Sequence, residues 1–395
     1  MLSEIKSYPV NWVDGMKISK KNFIEIESFV QDFIRDSIAL RTNEYNYGLL
    51  TSPTNTNSYE IFVHVGSQNL ISVKMTFCRA ITAAGHRIEL IKTTAEDAIA
   101  MRIPFASVVE QYALQATQTN ELYITLSINP DKRVPFGEAI NETPPRYPFA
   151  KADYRLSIIP ADHIASSEYS SNHLIVAKLI YKNNEVRQDT DYIPPASTIN
   201  STSKLVEWHS RLEGLIVNIE NNCIKIVHKI KLKTERKSNL SENIAVLVDR
   251  ILLTIAQNIT DYRVILPDEP PLKTISFFTK LSKVFKVYID TLPSSERAAR
   301  EEILKYFSSW AEVPPSIFDT GMDNIIYLKY NHHEIKAHFE RIYEVWRVID
   351  NLFETLTKLE YIGEQRGKQI FVIENPVHKD KAPIEPIKSK FNPLD

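Results

Sequence analysis

The chain has 395 residues, 43% of them hydrophobic and 24% charged, which are ordinary globular values that exclude a disordered or fibrous protein. At roughly 100–200 residues per domain, this length makes two or three domains, each able to bury a core. Lys and Arg total 47 against 49 Asp and Glu, a formal charge of −2, so no global field exists to hold nucleic acid or an anionic membrane.

An arm, residues 1–18, precedes the first regular element. It has neither the basic nor the apolar region of a signal peptide. Asn22–Leu40 follows, with Phe23, Ile26, Phe29, Val30, Phe33 and Ile34 at helical spacing. The next segments alternate apolar and polar residues and are rich in β-branched and aromatic types. Tyr59–Val65, Leu70–Phe77, Glu121–Ile128, Tyr154–Ile159 and His173–Tyr181 read as strands. Thr51–Ser58 and Asn141–Pro148 read as turns. Strands without interleaved helices favour an antiparallel sandwich or barrel.

Pro194-Pro195 ends this pattern. Amphipathic helices are expected at Thr198–Lys233, Glu242–Asp261, Pro271–Thr291 and Ser295–Ala311, the third entered through Pro270-Pro271 and the fourth capped by Ser294 or Ser295. A last long helix is expected at His333–Leu359, then a short extended stretch, Gln369–Glu374, and a Pro/Lys-rich tail from Asn375. In that helix Ile335, Phe339, Ile342, Trp346, Ile349, Phe353 and Leu356 follow a 4-3 spacing, a seam for pairing with other helices that points to self-association. No run of about 18 apolar residues occurs, and even Ile244–Ile259 carries Asp249, Arg250 and Gln257, so no transmembrane helix is expected and the protein reads as soluble and intracellular.

Chemical motifs are sparse. Nine glycines give no G-x-G, and Gly363–Lys368 is one residue short of a Walker loop, without the following Ser or Thr. Cys78 and Cys223 read as small buried hydrophobes in a reducing compartment. His332, His333 and His338 lack the i, i+4 spacing of helical zinc ligands and read as a polar helix start. Asp189 and Asp191 share a face of an extended segment but precede Tyr192-Ile193-Pro194-Pro195, where a solvated loop entry fits them. The basic run Lys225–Lys237 lacks interleaved aromatics for base stacking and reads as a solvated helix end. No catalytic, cofactor or metal residues are assigned, and an interaction or assembly protein is the expectation.

Several segments resemble a known family. Tyr8–Phe23, with Val10, Trp12, Gly15, Met16 and Phe23 in a V-x-W-x-E-G-M-x-L-x-P-Q-H-F-like pattern, resembles the opening of the TssK family of type VI secretion baseplate proteins. Asn46-Tyr47-Gly48-Leu49-Leu50 is similar to its N-Y-G-L segment. Asp191-Tyr192-Ile193-Pro194-Pro195, leading into a long helix, is similar to its Y-I-P-P junction. Leu252–Leu266 and Pro270-Pro271 also run similarly, and the resemblance covers about residues 8–312. Asp14 replaces the usual acid, Asn22 stands where the family has His, and the part after Asp319 does not resemble the usual head.

The resemblance implies a multidomain α and β protein. It would have an arm (1–18), an N-terminal antiparallel β-sandwich shoulder like those of phages (19–195), a helical-bundle neck (196–318) and a small C-terminal head with the long heptad helix (319–395). It implies a non-catalytic, cytoplasmic homotrimer without cofactors. The shoulder would bind TssF-like and TssG-like wedge proteins, and the head a membrane-complex protein at the inner-membrane face, the TssJ–TssL–TssM complex in the family. No nucleic acid or direct membrane insertion is implied. Trp12, Gly15, Met16, Phe23, Tyr47, Tyr192, Pro194, Pro195, Phe339, Trp346 and Phe353 are the interaction and assembly candidates. Trp12 and Phe23 are expected to anchor the arm to a neck or a neighbour, and Gly15 to permit a turn. Two other classes stand beside this one: a phage-tail-like receptor-binding protein for a surface glycan, and a hydrolase with convergent carboxylates in a β-sandwich.

Overall fold

A computed structural model of the chain describes residues 5–53, 57–66, 69–91, 98–164, 171–232, 238–292, 297–360 and 362. The tail after Ile362, including the Gly363–Lys368 segment and the stretch Gln369–Glu374, lies outside the described residues, as do Ser294, Ser295 and the end of the basic run. The arm leads into helix α1 (Lys20–Ala39), capped by Ser19, whose backbone N–H donates to Asn22 Oδ1 at 2.9 Å. The Asp32 carboxylate of α1 accepts from the backbone N–H groups of Lys6 and Ser7 and so holds the arm across the helix.

The first sheet is built around β3 (Leu70–Ile81), whose alternate residues Ile71, Val73 and Met75 point into the core. β2 (Tyr59–Val65) pairs along one side of β3, with β1 (Gly48–Leu49) beyond it at Ala80 and Ile81. On the other side β5 (Ile99–Pro104) and β4 (Arg87–Ile91) pair with successive halves of β3. Helix α2 (Phe105–Tyr112) follows, burying Phe105 and Val108. The second sheet runs β7-β6-β8-β9, from β6 (Asn120–Phe136), β7 (Phe149–Pro160), β8 (His173–Lys182) and β9 (Glu185–Asp189), with a short helix α3 (Ala161–Ile164) after β7. All pairings between strands are antiparallel, and both sheets feed one buried apolar cluster. Asn141–Pro148, expected as a turn between short strands, instead closes a long hairpin. β6 and β7 pair out to Phe136 and Phe149 past an irregularity at Asn129/Arg133, and Ile140 bridges Arg146.

The helical half comprises α4 (Ser203–Leu232), α5 (Asn239–Val264), α6 (Pro271–Asp290), α7 (Arg297–Ala311), α8 (Met322–Ile326) and α9 (Ile335–Lys358). Ser238 caps α5 by accepting from Ser241 N–H, and Pro271 occupies the first turn of α6. The seam of α9 is spent inside the chain. Ile335, Phe339, Ile342, Trp346, Ile349, Phe353 and Leu356 are all fully buried, and α9 packs on α4, α6 and α7. The Trp346 indole N–H donates to Ser282 Oγ at 3.0 Å, and Trp208 of α4 lies against Phe339 and Tyr343. These seven seam residues are therefore not exposed for contact with another copy. Lys229, expected to be solvated, reaches the C-terminal end of α9, where its ammonium donates to the carbonyls of Leu356, Thr357 and Leu359. Both cysteines are free and buried, and burial pushes both thiols up.

Gly214 sits in the interior of α4 with nothing within 4 Å of the space a Cβ would fill. Gly214→Ala is expected to raise stability by about 0.5–1 kcal/mol through reduced backbone entropy of the unfolded chain. A urea midpoint shifted upward checks this; a downward shift would mean that another chain closes on this face.

Candidate functional site

Two segments singled out by their sequence meet in space. Leu49 N–H donates to the Pro195 carbonyl at 2.9 Å, and Ser197 N–H returns a bond to the Leu49 carbonyl at 2.8 Å, making a parallel bridge between Leu49 and Ala196. This seam ties the first sheet to the chain's exit into α4. Gly48 makes it possible: its φ of +112° lies in glycine territory, and a Cβ there would stand 2.2 Å from the Pro195 carbonyl oxygen. Tyr47, Tyr192, Pro194 and Pro195 are all buried here.

A third segment, Tyr330 to Lys336 at the start of α9, locks onto the same place. His332 Nε2 lies 2.8 Å from the Tyr47 carbonyl, so that nitrogen carries the proton, while Nδ1 accepts from the Tyr330 hydroxyl at 2.7 Å. The Tyr47 hydroxyl lies 2.8 Å from His333 Nε2. The Tyr123 hydroxyl donates to Glu334 Oε1 at 2.6 Å, and the buried Lys178 ammonium sits between Glu121 at 2.9 Å and Glu334 at 3.4 Å. Lys336 pairs with Asp191 at 3.2 Å. Burial holds both His332 and His333 down to about 4, and burial with the Glu334 hydrogen bond pushes the Tyr123 hydroxyl up. The Tyr192 hydroxyl is buried without a hydrogen-bond partner.

The histidine cluster is thus not a polar helix start but the clasp between the β-rich and helical halves. Its chemistry is positional: neutral imidazoles, a phenol and a charge-balanced lysine hold two halves in register. Among the described residues, no group of three His, Cys, Asp or Glu side chains is placed to hold a metal. No described helix is long and apolar enough to cross a membrane. Tyr123, Lys178 and Glu334 were missed in the sequence because their partners lie far along the chain, 211 positions for Tyr123 and Glu334.

The remaining candidates lie on the surface. Trp12 is half exposed, Met16 is partly buried, and Phe23 faces solvent, so the described residues give Trp12 and Phe23 no full socket. Gly15 takes φ +81° in a turn, with open space around it. Tyr8, Val13, Ile18, Val30, Phe33, Ile34 and Leu40 extend this exposed apolar set along the arm and α1. Beside α1 a cleft of about 690 Å³ opens towards the β6–β7 hairpin, walled by Ile34, Ile38, His86, Arg133, Tyr147 and Phe149. Arg133 spans it through an ion pair with Glu27, leaving its Nη2 buried without a partner. Phe339, Trp346 and Phe353, by contrast, are core residues of the helical half.

The fold so defined is a pair of antiparallel sheets followed by a helical bundle. No protein-family model matches the sequence, and no curated protein is similar to it. Solved structures share the architecture. A chain of "The baseplate complex from the type VI secretion system" aligns with a TM-score of 0.50 at 12% identity, covering 88% of this chain and 99% of that one. "Crystal structure of TssK" aligns with a TM-score of 0.47 at 14% identity, covering 86% of this chain and 68% of that one. A chain of the TssK-TssF-TssG baseplate subcomplex aligns with a TM-score of 0.47 at 12% identity, over 88% of this chain and 100% of that one. At these identities the likeness is one of fold.

Proposed function

We propose that this protein is a non-catalytic structural adaptor of a type VI secretion baseplate, a divergent protein of the TssK type. The observation that carries the reading is the fold shared with a chain of the type VI baseplate complex over nearly the whole of that chain. The motif segments around Trp12, Tyr47 and Tyr192 support it, and so does the large exposed apolar surface of the arm and α1, which suits assembly. In this reading the two sheets form a β-sandwich shoulder within residues 19–195. The helices from 196 onward form the neck, and the chain works as a cytoplasmic homotrimer. The shoulder binds TssF-like and TssG-like wedge proteins, and the C-terminal region, residues 319–395, contacts a membrane-complex protein at the inner-membrane face. Trp12 and Met16 of the arm and Phe23 of α1 are contact residues in this reading. Tyr47, Tyr192, Pro194 and Pro195 fix the shoulder–neck exit direction.

Light scattering after size exclusion, at physiological and high salt, tests the assembly state. The expected mass is about 136 kDa, three times the chain's 45.4 kDa, unmoved by salt. Co-purification with wedge proteins encoded in the same gene cluster is expected alongside. A 45.4 kDa species that retains no wedge protein would overturn the reading.

A further inference from the structure

Helix α6 buries its apolar face in the bundle and carries a basic stripe on the outside. Phe277, Phe278, Leu281 and Phe285 are buried, whereas Lys273, Lys280, Lys283 and Val287 are exposed. The exposed residues follow a 7-3-4 spacing, so they share one face of the helix and run for about 21 Å along it. α8 packs beside α6 and extends the patch. The Lys283 ammonium lies 6.0 Å from the centroid of the Tyr327 ring, and exposed Lys329 follows two residues on. Tyr327 itself is 71% exposed. Lys286, on the flank of the stripe, differs from its neighbours. It pairs with Asp290, Asp319 and Asp323, and Arg300 takes Asp290 and Asp319 as well. Those carboxylates are thereby engaged, and Lys273, Lys280, Lys283 and Lys329 have no ion pair among the described residues.

The chemistry of the stripe selects its occupant. Like charges in a row repel one another, and an anion brought alongside relieves that repulsion. A lipid surface fits poorly. A helix that lies in a membrane sinks its apolar face there, and that face of α6 is already inside the bundle. Nucleic acid fits poorly too, because successive bases stack on successive aromatics, and the exposed aromatic of this patch is the single Tyr327. A line of lysines on one helix face matches carboxylates carried at the same spacing on another helix. Tyr327 and Val287 add the apolar contact that fixes its position.

We propose that the Lys273–Lys283 stripe of α6, with Tyr327 and Lys329, is a docking surface for an acidic amphipathic helix of a partner protein. It uses no residue of the arm, α1 or the sheets, so its failure would leave the baseplate reading untouched. The probe is a synthetic helical peptide with Glu at the 7-3-4 spacing and Leu beside it, titrated with the full chain by fluorescence anisotropy at low and physiological salt. Saturable binding that weakens with salt is expected, about tenfold weaker or more in Lys273→Glu/Lys280→Glu/Lys283→Glu. These side chains are exposed, so the triple variant is expected to keep the wild-type melting transition and mass. A swapped peptide with Lys in place of each Glu is expected to bind the triple variant and not the wild type, a gain that misfolding cannot produce. Tyr327→Ala is expected to weaken binding of the acidic peptide with its salt dependence unchanged, which separates the ring from the charges. No binding by the wild type, equal affinity for the triple variant, or a swapped peptide that ignores the triple variant would each overturn the proposal. Vesicles of phosphatidylserine with phosphatidylcholine and a single-stranded oligonucleotide are titrated alongside. Tighter binding of either than of the peptide, lost in the triple variant, overturns the proposal in favour of a lipid or nucleic-acid surface.

Discussion

Gly48→Ala is expected to destabilise the protein by about 4 kcal/mol, more than any surface change. Two costs combine. An alanine held at φ +112° carries strain of about 1–3 kcal/mol. Its Cβ also falls 2.2 Å from the Pro195 oxygen, 2.3 Å from the Pro195 carbonyl carbon and 2.6 Å from the Ala196 nitrogen. All three are backbone atoms, so no side chain can swing aside, and overpacking of this kind adds about 1–3 kcal/mol. Relief requires β1 to move off Ala196. That movement breaks the Leu49–Pro195 and Ser197–Leu49 bonds and loosens the clasp that Tyr47 makes with His332. Urea unfolding would read the loss as a lower midpoint at unchanged slope. Gly15→Ala is the control. It too has positive φ, but in an exposed arm with open space around it, so the main transition is expected to stay in place. A Gly48→Ala midpoint within about 1 kcal/mol of wild type would mean that the seam with Pro195 yields easily and does not set the shoulder–neck geometry.

Periodicity disclosed the elements well where they were long or fully amphipathic. Tyr59–Val65 has the bounds that its alternation predicts, and α6 begins at Pro271 as its proline pair requires. Short strands with charges inside them escaped. Arg87–Ile91 and Glu185–Asp189 each have five residues, too few to establish a period. What periodicity cannot tell is who covers a stripe. The α9 and α1 seams look alike in sequence, yet one is sealed by α4, α6 and α7 and the other faces solvent. That difference depends on tertiary packing, to which a heptad pattern is blind. The clasp was hidden for a related reason. His333 and Tyr47 are 286 positions apart, so no local spacing betrays the pair. The Asn46–Leu50 and Asp191–Pro195 segments were legible only as echoes of a family. Their meeting through Gly48 gives those echoes a physical cause, because only glycine lets the two backbones approach.

Acidification from pH 7.5 to 5 is expected to cost the protein about 2–4 kcal/mol, and the clasp is the reason. His332 and His333 are held down to about 4, chiefly by burial, against an ordinary 6.5. The unfolded chain therefore binds protons on these rings between pH 6.5 and 4 where the folded chain does not, so stability falls as pH falls through that window. It is fully present above 6.5 and levels off below about 4. By pH 5 a ring shifted this far forfeits about 2 kcal/mol. His332 is nearly inaccessible and bears this in full, while His333, partly exposed, contributes less. His209, buried against Tyr262, and His338 are also lowered by burial and add in the same direction. The paired carboxylates Asp153 and Asp319 are lowered by their Lys and Arg partners, so they lose stability only below the ordinary carboxylate range and leave this window clear. Urea unfolding at pH 7.5, 6.5, 5.5 and 5.0 measures the slope. His332→Gln keeps a donor for the Tyr47 carbonyl and removes the titration, so it is expected to flatten the curve by about 2 kcal/mol across the window while lowering stability at pH 7.5. A wild-type slope of zero between pH 6.5 and 5 would mean that the imidazoles meet protons as easily as in the unfolded chain, and that the two halves are not clasped through neutral His332.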